Sequence, residues 1–146
     1  MSIRPFHHAF AVSDLDATKQ FYVGLLGSKI GRTDARWIDF DLYGHQITAH
    51  LLETRSRERG ENPVDGDAVP IPHFGVILEL GAWKALAAQL GARDDIDWII
   101  APKVRFEGET GEQATMFFRD PSGNALEFKA FADDAMIFDA GGATGD

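Results

Sequence analysis

An α+β fold made of two βαβββ modules, each curling its sheet into half of a cup, is the architecture this sequence predicts. Three observations carry that prediction. A strand–helix–strands order of apolar patterns runs from residue 6 to 52 and again from 73 to 131, and the pattern dissolves between the two stretches. A histidine, His7 or His73, starts the opening strand of each half, and a helix begins seven or eight residues later. The second half ends on two strands joined by Asp120-Pro121-Ser122-Gly123, a strong turn signal. Identity between the halves is faint, so the order of elements is the evidence for repetition.

In the first half, residues 6–12 alternate, with His7, Ala9 and Ala11 on one face and His8, Phe10 and Val12 on the other. Ser13 or Asp14 supplies an N-cap oxygen for a helix that carries Leu15, Tyr22, Leu25 and Leu26, and Gly27 ends it. Residues 37–42 alternate as a strand, Tyr43-Gly44 makes a turn, and 46–52 is the return strand of a hairpin. From 53 to 72, charge, glycine and proline mark a connector longer than most loops of a compact domain, either mobile or functional, a candidate lid with an ordinary surface loop as its alternative. In the second half, 73–80 is an apolar strand and 82–90 a helix with Trp83, Leu86, Ala87 and Leu90 on one face, stopped by Gly91. A short strand at 98–100 precedes Pro102, and 115–119 and 124–131 form the closing hairpin. The loop 107–113 is a second candidate lid, with an ordinary surface loop as its alternative. The expected organisation is one domain over 1–135, with module one at about 4–53, connector 54–72, module two at about 73–131, and a loose tail at 132–146.

Composition narrows the function. The 146 residues suffice for a single core, and 45% are hydrophobic, with eleven Phe and three Trp. A formal charge of −9 argues against nucleic acid, which is bound through Lys and Arg, and against an anionic membrane surface. The first residues lack the apolar core of a signal peptide, and no run approaches a membrane helix, so a soluble, cytoplasmic protein is expected. Without cysteine there is no disulfide, thiolate nucleophile or Cys-type zinc site, so any metal must be held by imidazole and carboxylate.

The chemistry concentrates in a few side chains. Of the five histidines, His7 and His73 are pseudo-twofold mates if the halves superpose, and the last strands carry His50 in one half and Glu127 in the other. Two histidines and one carboxylate on one side of an ion form a recurrent open site for Fe(II) and related divalent metals. Glu127 sits between apolar neighbours in Ala125-Leu126-Glu127-Phe128, where an unpaired carboxylate costs several kcal/mol. Taken singly, His7 or His73 also reads as a satisfied strand histidine, Glu127 as an arginine partner or a solvent-facing group, and His8 as structural.

Two stretches carry a resemblance. Phe6-His7-His8-Ala9-Phe10-Ala11-Val12-Ser13-Asp14-Leu15, with Phe21-Tyr22 and Leu25-Leu26-Gly27, resembles the opening module of the vicinal oxygen chelate superfamily (glyoxalase I, fosfomycin- and bleomycin-resistance proteins, extradiol dioxygenases). Phe118-Arg119-Asp120-Pro121-Ser122-Gly123-Asn124-Ala125-Leu126-Glu127-Phe128 resembles its closing hairpin. The resemblance covers residues 6 to about 131 and implies the glyoxalase/bleomycin resistance/dioxygenase fold, a small-molecule substrate with vicinal oxygens, and a homodimer. It implies metal ligands at His7, His73 and Glu127, with His50 near the place of the fourth ligand of metal-binding glyoxalases.

The chain has one metal-site Glu where glyoxalases have two, which turns the reading toward a ring-cleaving, dioxygenase-like oxidoreductase. Such an enzyme takes Fe(II), with nickel, zinc or manganese as alternatives. His50 is then free for acid–base work, to which a histidine's ordinary pKa of about 6.5 is suited. Phe117 stands ten residues before Glu127, where extradiol enzymes carry a tyrosine, and becomes a substrate wall. The alternatives are a glyoxalase-type isomerase, a fosfomycin-type transferase whose cationic pocket would draw on Lys103, Arg105 and Arg119, and a metal-free drug-binding protein.

Overall fold

The computed structural model describes residues 3–53 and 60–140. Two compact units divide the chain: residues 1–58 with 120–124, and 59–119 with 125–146.

The first unit holds β1 (His7–Val12), α1 (Leu15–Lys19), β2 (Lys29–Asp34), β3 (Trp37–Leu42) and β4 (His45–Leu51). They form one sheet in the order β1-β4-β3-β2, with β1 and β4 parallel and the other pairs antiparallel. Asp14 is the N-cap, its carboxylate accepting the Ala17 N–H at 3.0 Å. The expected single helix instead changes to a π-turn over Gln20–Leu25, where the Leu26 N–H reaches back to the Phe21 carbonyl. Gly27, at φ 73°, ends it in the left-handed region.

Tyr22 is fully buried in this segment, with Phe10 at 5.6 Å and Phe40 at 5.3 Å between ring centroids. Its hydroxyl donates to Asp120 Oδ2 at 2.9 Å. The same carboxylate accepts the backbone N–H groups of Ser122 and Asn124 and the Asn124 amide, at 2.8–2.9 Å. The Asp-Pro-Ser-Gly-Asn turn is thus wound around one buried anion, and Gly123 closes it at φ 87°. Asp120→Ala leaves four buried donors without this acceptor and is expected to cost about 3 kcal/mol or more, against about 1 kcal/mol for Tyr22→Phe. Urea unfolding reads both, and an Asp120→Ala midpoint equal to wild type would contradict the arrangement.

The second unit contains β5 (Gly60–Val64), β6 (Asp67–Ile71), β7 (Phe74–Ile77), α2 (Leu80–Gly91), β8 (Asp97–Arg105), β9 (Gln113–Arg119) and β10 (Ala125–Phe131). Its four-stranded sheet runs β7-β10-β9-β8, with β7 and β10 parallel, so both units share one topology. That bears out the α+β architecture of two βαβββ modules. Helix α2 buries Trp83, Leu86 and Leu90, and the Trp83 indole donates to the Phe128 carbonyl at 2.8 Å.

Part of the expected connector is structured. Residues 54–59 lie outside the described residues, but β5 and β6 form a hairpin whose turn, Asp65 at φ 44° and Gly66 at φ 86°, has both central residues left-handed. It packs on the second sheet through Val69, which is buried with Ile100 and Phe117. Strand β8 is also longer than 98–100. It runs past Pro102 because it is an edge strand with register shifts before Ile100 and between Ile100 and Lys103, where a missing N–H is tolerated. In the tail, a short 3-10 turn over Asp134–Met136 is capped by Asp133, and 141–146 lie outside the described residues.

Candidate metal centre

Strand register decides which side chains share a face. Glu127 lies opposite Phe117 on β9 and beside Gly75 on β7, so His73, Thr115, Phe117 and Glu127 all project on the face away from α2. They meet there. His73 Nε2 is 3.2 Å from Glu127 Oε1, and the Thr115 hydroxyl donates to Glu127 Oε2 at 2.5 Å. The His73 and Phe117 rings pack edge to face, with centroids 4.9 Å apart. Glu127 keeps only 12% of its side chain exposed and His73 24%.

The hydrogen bonds around this pair fix what lies between its two atoms. His73 Nδ1 is 2.7 Å from the Pro70 carbonyl, which can only accept, so Nδ1 carries the hydrogen. In the neutral ring Nε2 is then a lone pair facing a carboxylate oxygen, a repulsive contact unless a positive charge sits between them. A proton fills that role in the metal-free chain. A divalent ion fills it as well: bonds of about 2.0–2.2 Å at right angles place two ligand atoms about 3 Å apart. Pro70 orients the imidazole and Thr115 the carboxylate, as outer partners of metal ligands do. The residues present therefore fit a divalent metal.

The ionisation of the pair follows from the same contacts. The hydrogen bond to Glu127 raises the His73 pKa above 6.5, outweighing burial, which lowers it. For Glu127 burial pushes upward, but the His73 and Thr115 hydrogen bonds together leave it below 4.5. The His73 contribution to stability is present below 6.5 and fades as pH rises through its raised folded value. The Glu127 contribution is present above 4.5 and fades as pH falls through its lowered one. In metal-free protein an NMR titration should place His73 above 6.5, and Glu127→Gln should bring it back down. An unchanged His73 titration in that variant would contradict the pairing.

The remaining histidines belong to the first unit. His7 is the exposed first residue of β1, on the sheet face opposite Tyr22, and His8 stacks on Phe10 at 5.8 Å on the other face, as a structural residue would. His45 Nδ1 accepts the Phe6 N–H at 2.9 Å. Among the described residues no group of three or more His, Cys, Asp or Glu is placed so that it could hold a metal ion; the structure brings together His73 and Glu127.

Register also corrects the pairing of the halves. Glu127 lies beside Gly75, two residues after His73; two residues after His7 is Ala9, and its partner is Thr48. The counterpart of Glu127 is therefore Thr48, whose hydroxyl donates to buried Asp39 at 2.6 Å. His50, exposed and opposite Trp37 and Ala11, lies two residues further along β4. Counting across the Tyr43-Gly44 hairpin without a known register could not resolve that difference. Sequence reasoning also missed Thr115, for which the only signal was a polar side chain amid the apolar run of β9.

The fold and the His–Glu pair do not by themselves name a family; a family model does. The model described as Glyoxalase/Bleomycin resistance protein/Dioxygenase superfamily matches residues 4–128. The chain belongs to this superfamily. Among solved structures, it is 34% identical to a glyoxalase/bleomycin resistance protein/dioxygenase from Alicyclobacillus acidocaldarius, covering 92% of this chain and 96% of that one, with a TM-score of 0.76. An integron cassette protein from the mobile metagenome of the Halifax Harbour sewage outfall is 23% identical over 86% and 97% of the two chains, TM-score 0.60. The fosfomycin resistance protein FosX of Listeria monocytogenes is 15% identical over 89% and 94%, TM-score 0.64. These last two likenesses are of fold alone. No curated protein matches the sequence. No helix among the described residues is long and apolar enough to cross a membrane.

Proposed function

We propose that this superfamily member is a metal-dependent enzyme of the dioxygenase-like, ring-cleaving type, acting on a small substrate with two neighbouring oxygens. Its divalent ion, Fe(II) by preference, is held by His7, His73 and Glu127, and the chain acts as a homodimer. The observation that carries this reading is the convergence of His73 Nε2 and Glu127 Oε1 at 3.2 Å, each oriented from behind by Pro70 or Thr115. A bound divalent ion would supply Lewis acidity, stabilising negative charge on the two chelating oxygens of the substrate.

The other residues follow from their positions. Thr48, not a second carboxylate, occupies the counterpart of Glu127 in the first unit, which favours a three-ligand set with positions open for substrate over the four-ligand set of an isomerase. Phe117 presents an aromatic wall beside His73 with no hydroxyl to move a proton. His50, on the sheet face that carries His7, is the group that holds and moves the proton of the substrate hydroxyl.

His50→Ala is therefore expected to keep the full metal content and lose turnover by about 100-fold or more. Metal analysis and oxygen uptake with catechols, on the same Fe(II)-loaded sample, separate the roles. Loss of the metal along with turnover would instead make His50 a ligand.

A further inference from the structure

The face that carries Glu127 and Phe117 also carries an unusual pair of cations. On β8, Ile100 lies opposite Phe117 and Lys103 opposite Thr115, so three residues of one strand span two of the other. The extra residue, at Ala101-Pro102, shifts the alternation and turns Lys103 and Arg105 onto the face of Thr115 and Phe117. Without it they would project to the opposite side.

Once turned in, Arg105 is deeply buried, at 3% exposure. Its guanidinium lies 5.6 Å from the Phe117 ring centroid, and Phe117 in turn packs on His73. Lys103 Nζ and Arg105 Nη2 both donate to a single oxygen, Oδ2 of Asp67 on the hairpin, at 2.9 and 3.3 Å. Asp65, at the hairpin turn, accepts the Phe106 backbone N–H. Two cations thus share one carboxylate, and Arg105 Nε is buried without a hydrogen-bond partner among the described residues. A buried guanidinium with an open donor costs free energy unless an acceptor completes it.

We propose that Lys103 and Arg105 are the anion-binding end of this site, and that its substrate carries a carboxylate in addition to the chelating oxygens. In the free chain Asp67 holds the place of that carboxylate, and the substrate displaces it from the guanidinium. The spacing suits such a molecule: β10 and β8 are two strand separations apart, about 10 Å, which a chelating ring with a distal carboxylate spans. Once Asp67 leaves Nη2, the Nε and Nη2 donors of Arg105 together match a carboxylate in bidentate geometry. The proposal rests on the metal reading above only for where the chelating oxygens lie.

Calorimetric binding to the anaerobic Fe(II)-loaded chain tests it, with metal content measured on the same sample. The probes are 3,4-dihydroxybenzoate and 3,4-dihydroxybenzamide, alike in shape and different in charge. The acid is expected to bind about tenfold more tightly or better. Asp67→Asn should widen that preference, and Arg105→Met should abolish it while the metal content stays unchanged. Equal affinities in wild type, or a preference that survives Arg105→Met, would overturn the proposal. Should Arg105→Met fail to fold, Asp67→Asn decides: a preference no wider than wild type overturns it. A chain that binds no metal yet prefers the acid upholds the anion-binding end and removes the metal reading. Full metal content without preference does the reverse.

Discussion

Glu127→Ala is expected to weaken metal affinity by more than about 100-fold, because it removes a proposed ligand, and loss of a ligand's outer partner alone costs about 10–100-fold. The variant also frees His73 from its acceptor and leaves the Thr115 hydroxyl without one, so some stability goes with it. Thr115→Val separates the two effects. It keeps the carboxylate but loosens it, and its affinity should fall by about 10–100-fold. Competition with a chromophoric chelator reads both. A Glu127→Ala affinity equal to wild type would remove this residue from the ligand set.

Gly75→Ala is expected to be as damaging, by a route that involves no metal contact. Strand β7 approaches β10 so closely at this point that a Cβ on Gly75 would lie 1.5 Å from the Glu127 carbonyl oxygen and 2.6 Å from its carbon. The obstacle is backbone, so no rotamer change relieves it, and one of the two strands must move. A loss of about 3 kcal/mol or more follows, at the upper end of what overpacking costs. The shift falls on the segment that sets the distance between His73 and Glu127, so metal affinity should decline in the surviving folded fraction. Urea unfolding and the chelator competition test this together. Wild-type stability and affinity in Gly75→Ala would show that the strands are not so close.

What the sequence made legible, and what it hid, divides along physical lines. Strands β1, β3, β9 and β10 and helix α2 carry strong apolar periodicity, and each lies within two residues of its expected place. Strand β2, Lys-Ile-Gly-Arg-Thr-Asp, is exposed at every position and held by edge pairing to β3, so it has no apolar pattern to read. The hairpin of β5 and β6, which turns at Asp65-Gly66, was read as connector because Pro63, Pro70 and the surrounding charge mask its strands. The extension of β8 past Pro102 depends on a bulge, which periodicity reads as an end.

The candidate site divides in the same way. Phe117 and Glu127 were legible because a closing hairpin fixes their relative register within a few residues, and His73 because it stands at the head of the opening strand of its half. Thr48 displaced His50 as the counterpart of Glu127 because strand pairing, which no residue spacing reports, set the alignment of the two halves. The roles of Gly75, Asp67 and Arg105 depend on close approach and on a register shift. Those exist only in the folded chain.

On the proposed reading, His73 and Glu127 face each other in order to hold a metal ion. Elemental analysis of protein purified without affinity tag or chelator, before and after anaerobic Fe(II) loading, tests it most directly. One equivalent of divalent metal per chain, lost in Glu127→Ala, is the expected result. A wild-type chain that takes up no metal under loading would contradict it, and would leave the pair as an ion pair lining a binding cleft.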